Sequence, residues 1–414
     1  MGSLTDAASV DTSRIVRADY ADLAYAALGA EAQVQWRKQS NPTDVGAQGR
    51  YHESGLLIVA DAAPTHRSAG EAVAKSDMTG MDYARSSWVN VLSLASDNPE
   101  VASCVRELPD SATIRGRLGT GGTSGSWGYI NEGSGWANAE KSMAWLVDQV
   151  KLTGRVTFVS GTVNSLLSQG DTVTGAQLSD GRVLSADLVI VAAGAWTGGL
   201  VDLEGQATAT GQVLGYFDIT EEEQQRLGDM PVILNLTTGL FIIPPSDRVL
   251  KVARHAYGYL NPTDLSPLPA SNTPRVSKPV SFPLTHLSDP TLSIPQEGTD
   301  DLRRALREMI PLPGLAERPF SKTRLCWYSD TPTGDFLIDY HPRYRGLFVA
   351  TGDSGHAFKF MPVIGDKIAD CIMRNCPVEF RGKWDWKPAA AFVITRDGSR
   401  GGVPGLLLAE ELGK

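Results

Sequence analysis

Arg14 and Arg17, three residues apart, are the first side chains whose spacing suggests chemistry. A guanidinium can hold a carboxylate through two parallel hydrogen bonds, so such arginines either orient an anionic ligand or form ordinary surface ion pairs. Lys251 and His255 stand four residues apart, the lysine inside an apolar run from Val249 to Ala253 that reads as a strand. Lys251 is then a placed cation or a surface lysine on an edge strand, and His255 a pocket residue or a hydrogen-bonded structural histidine. Cys326 opens the run Cys326-Trp-Tyr-Ser-Asp-Thr-Pro332. Most free cysteines are buried and inert, so its neighbours must decide its meaning. Gly352-Asp-Ser-Gly-His-Ala-Phe-Lys359 joins an apolar strand to a helix. Such a loop either aims backbone amides at negative charge or is a plain strand-to-helix turn.

Other chemistries find no support. The four cysteines, Cys104, Cys326, Cys371 and Cys376, show neither metal-ligand spacing nor a dense disulfide pattern, and no zinc ligand set is visible. Ser354 lies in Gly352-Asp-Ser-Gly355 and lacks the G-x-S-x-G elbow of a nucleophilic serine. There is no Walker loop and no nucleophilic triad.

The elements that must position these residues follow from periodicity. Leu23, Ala27, Ala30 and Val34 predict a helix over 20–37, and Met143, Leu146, Val147 and Val150 another over 137–150. Helices are also expected over 300–310 and 362–374. Leu56 to Ala60, Val156 to Val159 and Leu347 to Ala350 read as strands, and Leu188 to Ala193 as a fully buried one. A strand–turn–strand pattern is expected from Gly175 to Leu184. The Gly/Ser-rich stretch 120–135 reads as loop. From Ala207 to Tyr259 short strands alternate with turns (212–219, 232–236, 240–243 and 249–253), the texture of a second, mixed sheet. A Pro- and Ser-rich excursion covers 261–295.

At 414 residues the chain can bury one large or two interleaved cores. Its net charge of −9, with no Lys/Arg-rich run, argues against nucleic acid. Met1 to Arg17 has no apolar core of a secretory signal, no stretch is long enough to span a bilayer, and Glu411-Leu-Gly-Lys414 is not an SKL-type ending. A cytoplasmic protein without membrane or nucleic-acid partners is expected.

Several segments in order carry a family resemblance: Ser13-Arg-Ile-Val-Arg17, Gly128-Tyr-Ile-Asn131 with Gly135-Trp136, and Ala186-Asp-Leu-Val-Ile-Val-Ala-Ala-Gly-Ala-Trp196. Leu250-Lys251 with His255, the Cys326 run leading to Asp339, the Gly352–Lys359 run, and Arg396-Asp-Gly-Ser-Arg400 complete the set. Over 11–402 the chain resembles the fructosyl amino acid oxidases (amadoriases) and sarcosine oxidases, which are D-amino-acid-oxidase-like flavoproteins. The resemblance implies an α/β FAD-binding domain with a mixed β-sheet substrate domain. Residues 1–206 would form the first part of the FAD domain with some excursions, 207–320 the substrate domain, and 321–414 the return and tail.

It also implies roles. Cys326 would carry FAD covalently. Lys251 would face the flavin and promote reaction with oxygen, because a placed cation stabilises superoxide-like charge. His255 would shape the pocket. Arg17 and Lys359 would grip a substrate carboxylate, and Arg14 would lie near the flavin. Gly352, Asp353 and Gly355 would direct amides at flavin or phosphate, and Val163 and Gly194 would belong to cofactor-contacting strands. The activity would be oxidation of a secondary amine or amino acid derivative to an imine, with oxygen giving hydrogen peroxide, by a monomer.

Family members open with a strand, a G-x-G-x-x-G loop and a helix that bind the ADP half of FAD. Nothing of that kind precedes Arg14, so the expected fold lacks its first βαβ unit, with exposed strand edges and apolar helix faces as the consequence. A shortened chain is the favoured reading of that gap. The rival function is a flavin-free relative that acts as a small-molecule binding or interaction protein.

Overall fold

A computed structural model describes residues 6–62, 78–96, 102–265, 279–388 and 394–413. Residues 6–13 run as turns into strand β1 (Arg14–Val16). Helix α1 (Leu23–Trp36) begins at Asp22, whose carboxylate accepts from the amides of Ala24 and Tyr25, two donors the helix itself leaves unpaired. The strands β2 (Tyr51–His52), β3 (Leu56–Ala60), β4 (Val105–Leu108), β5 (Trp127–Asn131) and β6 (Gly135–Ala137) are interleaved with helices α2 (Gly80–Leu94) and α3 (Ser111–Leu118). Helix α4 (Ala139–Leu152) leads to β7 (Val163–Gln169), β8 (Thr172–Leu178), β9 (Val183–Ser185) and β10 (Val189–Val191). Then come β11 (Thr208–Asp218), α5 (Glu221–Leu227), β12 (Val232–Asn235), β13 (Leu240–Ser246), β14 (Val249–Arg254), β15 (Pro262–Thr263) and β16 (Val280–Ser281). The last part holds α6 (Gln296–Met309), β17 (Lys322–Asp330), β18 (Leu337–Tyr340), β19 (Leu347–Thr351), α7 (Met361–Ile372) and α8 (Leu408–Glu411).

One sheet of eight strands, in the order β17-β11-β14-β13-β12-β3-β5-β4, dominates the molecule. Its strands come from well-separated stretches, and β12 meets β3 in parallel while the neighbouring pairs are antiparallel. Strand alternation gives this sheet two unlike faces. Val213 and Phe217 of β11, Leu250 and Val252 of β14, and Leu325 and Trp327 of β17 point to a core completed by Leu302, Leu306 and Met309 of α6. The residues between them point the other way: Leu214 and Tyr216, Ala253, and Cys326. A second, three-stranded sheet has the order β10-β19-β18, with β10 parallel to β19.

The structure corrects three sequence expectations. The 120–135 stretch is not all loop, because β5 runs fully buried between β3 and β4. Gly128 belongs to this strand, since a Cβ there would come 2.4 Å from the carbonyl oxygen of Ile58. Residues 156–159 form no strand, and Val156, Phe158 and Val159 are exposed. The run from Leu188 is not fully buried either. Only Val189–Val191 is a strand, and Ile190 is 46% exposed. Among the described residues β10 hydrogen-bonds to a neighbouring strand on one side only. The four expected helices are present within a few residues of their expected bounds. No helix among the described residues is long and apolar enough to cross a membrane.

Candidate active site

The face of the large sheet turned away from α6 gathers the first group of functional side chains. Tyr216 of β11 stands opposite Lys251 of β14, and Gln212 of the same strand stands opposite Cys326 of β17. Even spacing therefore puts Lys251, Ala253 and His255 in one row and Arg324, Cys326 and Tyr328 in another. The His255 ring lies 5.8 Å from the Tyr328 ring.

Lys251 is 3% exposed, and its ammonium donates to Asp11 Oδ2 at 2.7 Å and to the carbonyl of Ser13 at 2.8 Å. Burial pulls its pKa down to about 8, although Asp11 pulls the other way. Asp11 also accepts from Arg14 and, at 2.8 Å, from the Tyr216 hydroxyl. Burial alone would raise this carboxyl, but Arg14 and Lys251 outweigh it and hold it far below the ordinary carboxylate range. Arg14 lies 3.6 Å from the Cys326 sulfur and donates to the carbonyl of Ala8. Cys326 is 1% exposed, packed with Leu214, Tyr216, Ala253 and Ala8.

A second group lies beside helix α7. Lys359 donates to the Tyr20 hydroxyl at 2.7 Å and to the carbonyl of His356 at 2.8 Å. The Tyr20 hydroxyl is 3.1 Å from His356 Nδ1, and His356 Nε2 is 2.8 Å from the carbonyl of Gly334. A carbonyl only accepts, so Nε2 carries the imidazole proton and Nδ1 accepts a hydrogen bond from the Tyr20 hydroxyl. Burial and the charge of Lys359 keep His356 neutral, which agrees with that assignment. The Arg17 guanidinium lies over the Tyr20 ring, 4.5 Å from its centre. Arg17 is 5% exposed, and its Nη1 is buried with no hydrogen-bond partner among the described residues. Burial would lower its pKa, but Tyr83, Tyr20 and Asp19 raise it, so it is charged. Lys359 is pushed well below the usual ammonium value by burial and then by Arg17. A buried positive field with an unused donor is a site for an anion.

The loop after β19 connects the two groups. Gly352, Ser354 and Gly355 all have left-handed backbones, with φ of 71, 46 and 70°. A Cβ at Gly355 would come 2.3 Å from the Tyr328 ring, so this position requires glycine twice over. The loop's amides are bonded within the chain: Gly352 to Ser329 Oγ, Ser354 to the Ser329 carbonyl, Gly355 to Asp353. Asp353 accepts from the Ser329 amide at 2.8 Å, and burial raises its pKa to about 6. Thr351 bonds to the Gly194 carbonyl at 3.2 Å, which places Gly194 beside this loop. Val163 is apart from both groups, at the exposed start of β7 in the sheet β7-β8-β9.

Sequence reasoning missed Asp11, Tyr20, Tyr216 and Arg324. Asp11 precedes Arg14 by three residues, a spacing that could have marked it as the arginine's counter-ion. Arg324 precedes Cys326 by two, which in a strand means the same face. Among the described residues no cluster of His, Cys, Asp or Glu could hold a metal ion.

The family model for FAD dependent oxidoreductases matches residues 2–371, and the chain belongs to that family. It is 31% identical over 408 residues to amino acid oxidase imqH of Aspergillus flavus, covering 89% of this chain and 82% of that protein. It is 29% identical to L-saccharopine oxidase of Schizosaccharomyces pombe, over 92% and 84% of the two chains. Fructosamine oxidase from Aspergillus fumigatus (Amadoriase II), in complex with FSA, superposes with a TM-score of 0.76 at 26% identity, covering 97% of this chain and 86% of that one. These relatives are oxidases of amines, and the flavin-free binding-protein reading is not favoured beside them. The D-amino-acid-oxidase-like fold and the FAD-dependent amine oxidoreductase class expected from the sequence both hold.

The two groups of residues differ in how they receive ligands. The Arg17–Lys359 group fits a carboxylate, because a buried guanidinium nitrogen there has no partner. The Cys326–Lys251 face does not fit a flavin ring as it stands. Both side chains are covered, and the space above them is filled by residues 6–13.

Proposed function

We propose that the protein oxidises the C–N bond of a small amino acid derivative with a secondary amine, held by its carboxylate between Arg17 and Lys359. The observation that carries this reading is the buried, unpartnered Nη1 of Arg17 beside the Lys359 ammonium. An unmade hydrogen bond at a charged buried donor costs roughly 1–3 kcal/mol, and a carboxylate arriving there recovers it. Arg17 supplies charge and direction, and Tyr20 braces both cations through its ring and its hydroxyl. Holding the carboxylate orients the amine end relative to His255 and Tyr328, where the two groups approach each other.

FAD is the cofactor of the family to which the chain belongs. In our reading Cys326 would be its attachment point once residues 6–13 leave that face, Arg14, Gly194, Gly352, Asp353 and Gly355 would surround it, and Lys251 would be the cation that promotes reaction with oxygen. Arg14 and Lys251 lie within reach of that thiol's neighbourhood, which supports the assignment. The reading includes a monomer in the cytoplasm, to be checked by light scattering and by cell fractionation.

The test is a peroxide assay on N-alkyl amino acids paired with the same amines lacking the carboxylate. Turnover restricted to the carboxylates supports the reading. Equal turnover of both members of each pair removes Arg17 and Lys359 from it. With FAD bound, Cys326→Ala should release the flavin on acid precipitation, and flavin that stays with that variant overturns the attachment.

A further inference from the structure

Residues 6–13 lie across the face that carries Cys326 and Lys251 and bond mainly to it, with one further anchor where the Glu140 amide of α4 donates to the Asp11 carbonyl at 3.1 Å. Arg324, two residues before Cys326 on β17, donates to the carbonyls of Asp6 and Ala7, each at 2.9 Å, and to that of Val10. Arg14 donates to the carbonyl of Ala8. The segment is folded back on itself by the Val10 amide, which donates to the carbonyl of Ala7 at 3.0 Å. Ala8 sits in the small apolar cluster with Cys326, Leu214, Tyr216 and Ala253. Asp11 reaches under the turn and neutralises Lys251. Two arginines therefore hold a tight turn over one thiol, and one carboxylate occupies one lysine.

We propose that residues 6–13 form an intramolecular seal over the Cys326–Lys251 face, which must swing away before a planar ring can reach the thiol or the ammonium. The flavin as the ring in question rests on the functional reading above, whereas the seal itself rests only on these contacts. The bonds suit a reversible device. All the Arg324 bonds run to backbone carbonyls, and residues 7–10 are half-exposed, so opening exchanges them for water without breaking a hydrophobic core. The Asp11–Lys251 pair is the firmer latch, because both partners are buried and parting them leaves two unpaired charges. A ring with negative charge next to Lys251 would replace that carboxylate, so loading and opening would be coupled.

The test is the alkylation rate of each cysteine in the full chain by iodoacetamide, read by peptide mass spectrometry. Cys371, on the buried side of α7, reports global opening. In the unaltered protein Cys326 should be protected. Arg324→Gln should raise its rate about tenfold or more, the equivalent of one lost charge-assisted hydrogen bond, with Cys371 unchanged. Ala8→Cys gives an independent arm. Because Ala8 packs on the cluster that holds Cys326, and its carbonyl accepts from the Arg14 nitrogen that lies 3.6 Å from the sulfur, a disulfide should form under mild oxidant, block alkylation, and reopen with dithiothreitol. Cys326 reacting at its denatured rate in the unaltered protein overturns the seal. So does a folded Arg324→Gln variant with unchanged Cys326 rate, or failure of the Ala8→Cys pair to cross-link. Incubation with FAD then separates the two ideas. If Arg324→Gln exposes the thiol and still retains no flavin absorbance, the seal stands and the flavin reading of Cys326 fails.

Discussion

Replacing Arg17 by methionine separates binding from architecture. The side chains are similar in length, so the apolar packing beside Tyr20 is largely kept. Two stability effects oppose each other. Removing the unpartnered Nη1 relieves a burial cost of roughly 1–3 kcal/mol. Removing the charge 4.5 Å from the Tyr20 ring centre loses a cation–π contact of roughly 0.5–2 kcal/mol. The net change should lie between about 1 kcal/mol of destabilisation and about 2.5 kcal/mol of stabilisation, a shift of a few degrees at most in Tm for a chain of this size. The substrate sees no such balance. Losing one partner of a buried, hydrogen-bonded charge pair costs roughly 2–5 kcal/mol, so kcat/KM should fall about 30-fold or more. The assay is peroxide release at varied substrate, beside a urea titration of the same preparation. A variant that loses several kcal/mol of stability and keeps its kcat/KM would refute the reasoning, since Arg17 would then be a structural residue.

Three other outcomes can be measured separately. Lys359 is held below its usual pKa by burial and by Arg17, so a carboxylate that binds there should raise that pKa and hold the ammonium form, taking up protons at any pH where part of the free protein has lost its Lys359 proton. Binding of a carboxylate inhibitor should therefore take up protons and weaken as pH rises, visible in calorimetry as an enthalpy that depends on the buffer; a buffer-independent enthalpy would contradict this. Asp11→Asn should cost roughly 3–5 kcal/mol at neutral pH by leaving Lys251 unpaired. Because the native Asp11 pKa is depressed, its contribution is present above about pH 4 and is lost as pH falls, so urea midpoints of variant and unaltered protein should converge in acid. Gly355→Ala should destabilise by about 2–5 kcal/mol, from left-handed strain plus the clash with the Tyr328 ring, and an unchanged urea midpoint would count against that packing.

Much of this arrangement was legible in the sequence. Helix α6 shows in its periodicity because Leu302, Leu306 and Met309 do face the core. Helix α1 is present but buries Tyr25, Leu28, Ala32 and Trp36 and leaves the expected stripe residues Leu23 and Val34 exposed. Helix α4 leaves Met143, Leu146, Val147 and Val150 only half-buried. Lys251 and His255 read together because both match the family pattern four residues apart, Lys251 inside β14 and His255 just past its end. What escaped was set by distant pairing. Strand β5 is Gly- and Ser-flanked and owes its existence to β3 and β4 on either side. Ile190 looks like core in sequence and is exposed because β10 pairs on one side only. Asp11 looks like a polar terminal residue, and only the fold brings it to Lys251, 240 positions along the chain.

The two-faced character of strands β11, β14 and β17 has a consequence for how such a protein can change. Along each strand, alternate positions answer to different demands: one set to the packing against α6, the other to the face of Cys326 and Lys251, which our proposal gives to the ligand. Point substitutions on the ligand-facing set can alter what the protein accepts while the core stays intact. Insertions cannot. One residue added inside β17 before Cys326 would turn the thiol into the apolar core and bring Leu325 or Trp327 out in its place. The sheet thus leaves specificity open to gradual adjustment and holds the length of these strands nearly constant.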